Sequence, residues 1–187
     1  SSMLDVEIRE PLFLYLETIY GKVRIFEEKN IGKSRADVIA VTDGALIGLE
    51  IKSDGDSYAR LKSQIRDYNK YCGRNYIVVG ASHKIHAEEH IPKFWGILVV
   101  SRDLDTKLPQ IEEQREAERN PKANLKWQLS LLWRNELAHI LQNNGLPKYT
   151  NKSKPFICEK LIEKIPEEKL LLQMTDEIFE RDYTVYR

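Results

Sequence analysis

A mixed α/β (α+β) fold follows from three features of this 187-residue sequence. A hairpin signal, Asp43-Gly44, joins two apolar runs; short β-rich segments recur at 75–80 and 95–101; helical spacing precedes and separates them. From Asp5 to Tyr20 the positions Ile8, Leu12, Tyr15, Leu16 and Ile19 repeat with a helical period, Asp5 serving as N-cap and Gly21 as stop, although Pro11 weakens the pattern. "VRIFEE" at 23–28 reads as a strand and "KNIGKS" as the turn after it. "RADVIAV" and "ALIGLEIK" form the hairpin arms. Ser57 is placed to cap a helix running to Cys72, with Tyr58, Leu61, Ile65, Tyr68 and Cys72 on one face and Gly73 ending it. "NYIVVG" is a short buried strand, 83–90 a polar helix, and "WGILVVS" another strand. Helices covering a mixed sheet are the architecture this order implies.

Beyond Arg102 the character changes. "QIEEQREAERN" is charged throughout and reads as a solvated, poorly ordered connector. A Trp- and Leu-rich helix follows over 125–141, then two shorter ones entered through Ser153-Pro155 and after Pro166. The expected division is a core at 3–102, a charged connector at 103–124 and a C-terminal helical subdomain at 125–187.

Composition narrows the function. Twenty-nine Lys and Arg balance 29 Asp and Glu, so a uniformly basic nucleic-acid-binding surface is excluded and any such binding needs a local patch. Two cysteines, Cys72 and Cys158, suggest a reducing compartment, and the reading is cytoplasmic. No apolar run approaches the length of a membrane span, so no membrane association is expected.

The hairpin carries the chemistry. With a two-residue loop at Asp43-Gly44, Thr42 opposes Ala45, Asp37 opposes Glu50 and Arg35 opposes Lys52. Period-two alternation then puts Arg35, Asp37, Glu50 and Lys52 on one face, and Ala36, Val38, Ala40, Ile47, Leu49 and Ile51 on the other. Two carboxylates roughly 5 Å apart repel unless a cation lies between them. Hard oxygen ligands without Cys or His suit Mg²⁺ or Mn²⁺ better than zinc. Lys52 would bring positive charge beside the cation and an anionic substrate. The plainer alternative is a surface patch of charges neutralising one another across the strands.

Asp37, then Glu50-Ile51-Lys52 after a hairpin, then a helix and a strand, resembles the PD-(D/E)XK nuclease superfamily with its αβββαβ, restriction-endonuclease-like core, over residues 4–80. Through "SRADVIAV", "GLEIKSD" and "QIRDYNKY" the chain is more closely similar to a bacterial and phage group within it. The resemblance implies that Asp37, Glu50 and the carbonyl of Ile51 ligate the metal, that Lys52 positions or activates the attacking water, and that phosphodiesters, above all in DNA, are hydrolysed. Ala36 replaces the motif's proline. A third acid is not determined; Glu7 is favoured over Glu27 and Glu28. Gln64 and Tyr68 match a Gln-x-x-x-Tyr pattern of several branches, which implies a substrate-binding role, with burial in the core as the competing reading for Tyr68.

Between Asp56 and Arg74 five basic residues, Arg60, Lys62, Arg66, Lys70 and Arg74, face two acids. Those on the solvent side of the helix, Arg60 and Arg66 among them, are candidates for phosphate contacts near the site, as is Arg35. The C-terminal helices, with Lys148, Lys152, Lys154, Lys160 and Lys164, are candidates for a DNA-binding or dimer-forming module, a homodimer included. The plainer expectation there is a helical cap burying Trp127 and Trp133. His86 and His90 have a zinc-compatible i, i+4 spacing but no further ligands, and read as surface residues. The alternative to a nuclease is a nucleic-acid-binding or assembly module that keeps the fold with little chemistry.

Overall fold

Alternating apolar residues in the hairpin and continuous apolar runs beyond it build one six-stranded sheet. The structure is a computed structural model describing residues 3–83 and 86–183. Strands β1 (Arg24–Ile31), β2 (Ser34–Thr42), β3 (Ala45–Lys52), β4 (Arg74–Gly80), β5 (Gly96–Arg102) and β6 (Pro109–Arg115) lie side by side in chain order. The first three are antiparallel, β3, β4 and β5 are parallel, and β6 returns antiparallel to β5. The parallel strands β4 and β5 are buried almost throughout, which explains their unbroken apolar sequence.

Helix α1 (Asp5–Tyr20) covers one face, burying Ile8, Leu12 and Leu16 against Val38, Ala40, Ile47, Leu49 and Val78. Pro11 lies within it without ending it. Asp5 is not the cap: Leu4 holds that position and its N–H donates to Glu7 Oε2 at 2.9 Å. Ile19 is half exposed.

The other face receives α2 (Leu61–Tyr71) and the C-terminal helices α3 (Leu125–Leu129), α4 (Arg134–Asn143), α5 (Lys154–Lys164) and α6 (Glu167–Phe179). Their apolar residues share one buried cluster with Ile39, Val41, Leu46, Ile77 and Ile97 of the sheet. Helix α2 starts later than expected. Ser53 and Asp56 close a turn on themselves, Asp56 Oδ2 accepting from the Ser53 amide at 2.9 Å and its hydroxyl at 2.8 Å, so the chain reaches helical geometry only at Leu61.

Three further expectations differ. The segment 103–124 contains β6, an edge strand paired along β5, and Asn120 Nδ2 donates to the carbonyls of Asn69 and Cys72, pinning the rest to the end of α2. Its charge is what an edge strand uses to discourage further pairing. The helix at 125–141 is two helices: Trp133 restarts the chain as α4, its N–H donating to Glu136 Oε1 at 2.7 Å. The polar helix at 83–90 is a pair of 3₁₀ turns at Ala81–His83 and Ala87–His90; Lys84 and Ile85 lie outside the described residues. Among the described residues, no helix is long and apolar enough to cross a membrane.

Candidate active site

The hairpin has the register the Asp43-Gly44 turn implies, from Thr42 opposite Ala45 to Val38 opposite Leu49. Gly44 takes φ 76°, a value that favours glycine at that corner. Beyond Val38 the regular pairing stops, and Asp37 lies at the opening. On its other side the pairing with β1 also skips Asp37 and Glu28, and Glu28 takes φ 53°. A left-handed backbone at a non-glycine residue costs about 1–2 kcal/mol, and here it accompanies the widening of the sheet.

Side chains replace the missing ladder. Asp37 Oδ2 accepts from the Ile51 N–H at 2.8 Å. The Tyr68 hydroxyl, wholly buried, donates to Glu50 Oε1 at 2.6 Å and accepts from the Asp37 N–H at 3.1 Å, with the Leu49 carbonyl at 3.2 Å. Gly48 makes room for it: a Cβ there would stand 2.4 Å from the Tyr68 ring. Tyr68 is therefore a wedge that positions Asp37 and Glu50, and its burial removes it from the substrate-binding set.

The Asp37 and Glu50 carboxyls lie close enough to act on one another's protonation, although the ladder ends at Val38–Leu49 and does not pair their backbones. Glu50 is 2% and Lys52 6% exposed, and Lys52 Nζ lies 3.8 Å from Glu50 Oε2. Burial, and next the charge of Asp37, push the Glu50 carboxyl up to about 8, against the Tyr68 hydrogen bond and Lys52. Burial also raises Asp37, opposed by the Ile51 N–H, Glu50 and Arg9. A buried carboxyl beside a partly buried one, both shifted upward, is what a site short of positive charge produces.

Arg9 of α1 is the residue that sequence reasoning missed. Its guanidinium reaches Asp5 Oδ1 at 2.6 Å, Glu28 Oε1 at 2.7 Å, Glu27 Oε1 at 3.1 Å, the Asp37 carbonyl at 3.3 Å and Asp37 Oδ1 at 3.6 Å. Burial works against its charge, but Asp5, Glu27 and Asp37 more than offset that and the net shift is upward. The local signal was an i, i+4 pair with Asp5; nothing near it in sequence pointed to Asp37. Glu27 and Glu28, the rival third acids, are thus occupied by Arg9. Glu7 is not brought to the site, since its carboxylate is engaged by the Leu4 N–H and by Arg102 at 3.2 Å.

A cleft of about 470 Å³ opens over these groups, lined by Asp37, Glu50, Ile51 and Lys52 and rimmed by Lys33, Arg35, Arg60 and Gln64, with Asp5, Glu28 and Asp56 also on its wall. Arg35 does not oppose Lys52. It is an exposed rim residue whose Nε pairs with Glu28 Oε2 at 2.9 Å. Ala36, expected beside Val38, buries on the α2 side. Gln64 Oε1 is buried without a hydrogen-bond partner. Arg66 lies outside the cleft on the exposed face of α2. His86 and His90 are on the surface, His90 stacked on Tyr58 at 3.9 Å. Trp127 is 43% exposed rather than buried, and Trp133 is partly buried beneath Arg181.

Two carboxylates short of positive charge and an orphaned amide oxygen in the cleft wall form a hard-oxygen set that fits a divalent cation of the Mg²⁺ or Mn²⁺ kind. Among the described residues, no group of three or more His, Cys, Asp and Glu could hold a metal ion. The protein donors are therefore few, and water would complete the shell.

The model of one family, bacteriophage P4 protein cII, matches residues 12–185, which span Asp37, Glu50 and Lys52 and the C-terminal helices. The chain belongs to the bacteriophage P4 protein cII family. That membership agrees with the bacterial or phage setting implied by the motif. No curated protein matches the chain. Among solved structures it is similar to Pyrococcus furiosus SfsA in complex with Ca²⁺, with 17% identity, a TM-score of 0.36 and coverage of 59% of this chain and 61% of that one. The chain thus matches about three fifths of the length of that protein.

Proposed function

We propose that this member of the bacteriophage P4 protein cII family is a divalent-metal-dependent nuclease of the PD-(D/E)XK kind, hydrolysing phosphodiester bonds, with DNA as its first candidate substrate and the cytoplasm of a bacterium as its setting. The carrying observation is the pairing of partly buried Asp37 with buried Glu50, the Lys52 ammonium 3.8 Å from Glu50, at the floor of a cleft rimmed by basic residues.

Asp37, Glu50 and the carbonyl of Ile51 would hold the cation. When bound, Mg²⁺ or Mn²⁺ supplies Lewis acidity toward a phosphoryl oxygen and acidifies water. The chain's own residues do the rest. Lys52, held in a nearly dry site, orients the attacking water and stabilises charge that develops on the phosphate. Arg35 and Arg60 at the rim hold flanking phosphates. Gln64 Oε1, lacking a partner in the wall, is an acceptor for a water in the cleft. Tyr68 and Arg9 hold the two carboxylates in place from opposite faces of the sheet.

A binding module with little chemistry is the second reading, favoured by the small acid set at the site. Incubation with supercoiled, linear and single-stranded DNA and with RNA, under Mg²⁺, Mn²⁺ or EDTA, separates the two. The nuclease reading expects metal-dependent cutting that falls by roughly 100-fold or more in Asp37→Asn and Lys52→Ala. Binding without cutting under any metal favours the module. Equal cutting by the wild type and both variants removes the site assignment.

A further inference from the structure

The solvent face of α2 is the most one-sided charged surface near the cleft. At 100° per residue, Lys62, Ser63, Arg66 and Lys70 fall within about 100° of arc, opposite the buried Leu61 and Tyr68. The helix's one acid, Asp67, is turned inward and accepts from the Ser34 hydroxyl at 2.5 Å. Among the described residues, Arg60, Lys62, Arg66 and Lys70 form no ion pair, whereas most other cations around the site do. In a chain with no net charge, such a face is a local patch of the kind that binds polyanions.

The patch begins at the cleft, whose rim includes Arg60 and Ser63, and ends on an aromatic ring. Trp127 is 43% exposed, with Lys70 Nζ 5.0 Å from its ring centroid and Tyr71 edge-on at 5.9 Å. Neighbouring charge is neutralised, since Lys126 pairs with Glu159 at 3.0 Å. The run from Arg60 to Lys70 covers about 15 Å of helix, room for roughly four stacked nucleotides at 3.4 Å each. A basic track ending on an exposed indole is the arrangement that holds single strands, phosphates on the cations and a base on the ring. A duplex keeps its bases stacked inside and has none to offer Trp127.

We infer that the α2 face, from Arg60 through Arg66 and Lys70 to Trp127, is a track for single-stranded nucleic acid leading to or from the cleft. This rests on the nuclease reading only for the track's place beside that site. The test reads binding without cleavage: fluorescence anisotropy of a labelled 12-mer of dT and of a 12-base-pair duplex, in EDTA, with the full chain. The single strand is expected to bind more tightly than the duplex. Trp127→Ala should weaken single-strand binding about 5- to 150-fold, with Trp127→Phe in between. The pair Arg66→Ala, Lys70→Ala should lower the slope of log affinity against log salt by about 1.4. A duplex bound as tightly as the single strand, an unchanged affinity in Trp127→Ala, or displacement by polyglutamate as effective as by unlabelled dT each overturns the inference. Cutting without Trp127-dependent binding leaves the nuclease and removes the track; Trp127-dependent binding without cutting does the reverse.

Discussion

Two charge clusters set into the protein, one among the C-terminal helices and one at the hairpin, are balanced very differently. Between α4 and the end of α6, Glu136 and Arg181 form a bidentate pair at 2.5 and 2.9 Å; Glu136 also accepts from the Trp133 N–H, and Arg181 donates to the Leu131 carbonyl and covers the Trp133 ring. Each charge meets its opposite and the spare hydrogen-bonding positions are filled, as a structural ion pair requires. At the hairpin, Asp37 and Glu50 face the Lys52 ammonium, 3.8 Å from Glu50, and an Arg9 guanidinium 3.6 Å from Asp37 that is shared with Asp5, Glu27 and Glu28, and the Glu50 carboxyl is driven up to about 8. Glu50 and Lys52 are about as buried as Glu136 and Arg181, so burial does not set the candidate site apart. The deficit of positive charge does.

The largest effect that probes this contrast is expected at the balanced cluster. Arg181→Ala leaves Glu136 buried and unpaired, and should cost about 3–5 kcal/mol in denaturant unfolding while leaving metal affinity unchanged. An equal cost from Lys52→Ala would erase the distinction, because that lysine serves a site whose charges are already unmatched.

A smaller effect, of opposite sign, is expected at Glu50 in metal-free protein. The folded carboxyl titrates near 8 and the unfolded one near 4.5, so below 4.5 both states hold the proton. Between those values the folded state keeps a proton that the unfolded state has lost, and stability falls as pH rises through the window, the loss being complete above about 8. Glu50→Gln removes that slope and should stabilise the metal-free protein at pH 8.5 by an amount on the order of 1–3 kcal/mol. Chemical denaturation at several pH values measures it; a variant as pH-dependent as the wild type would move the titration elsewhere.

What could be read from the sequence follows the range of the interactions. The hairpin register and the meeting of Asp37 with Glu50 were legible because one Asp-Gly turn and period-two alternation determine them locally. The early end of the ladder was not, because it depends on Tyr68 entering from α2 and on the backbone of Glu28 in β1. Arg9 was invisible for the same reason: its partners Glu27, Glu28 and Asp37 come from strands 18 to 28 residues away. Strand β6 was hidden by its charge, since polar edge strands lack the alternation that marks half-buried ones. The break between α3 and α4 is set by Glu136 capping the second helix, a signal obscured by the apolar pattern running across it.

The central claim, that Asp37 and Glu50 hold a divalent cation, is tested most directly by thermal unfolding in EDTA and in Mn²⁺, with calorimetric titration of the same samples. Wild-type protein should bind Mn²⁺ and gain about 2.7 kcal/mol at a hundredfold excess over the dissociation constant. Asp37→Asn should lose both the heat and the stabilisation, while Arg181→Ala, though less stable, keeps both. Mn²⁺ that binds and stabilises Asp37→Asn as well as it does the wild type would contradict the claim.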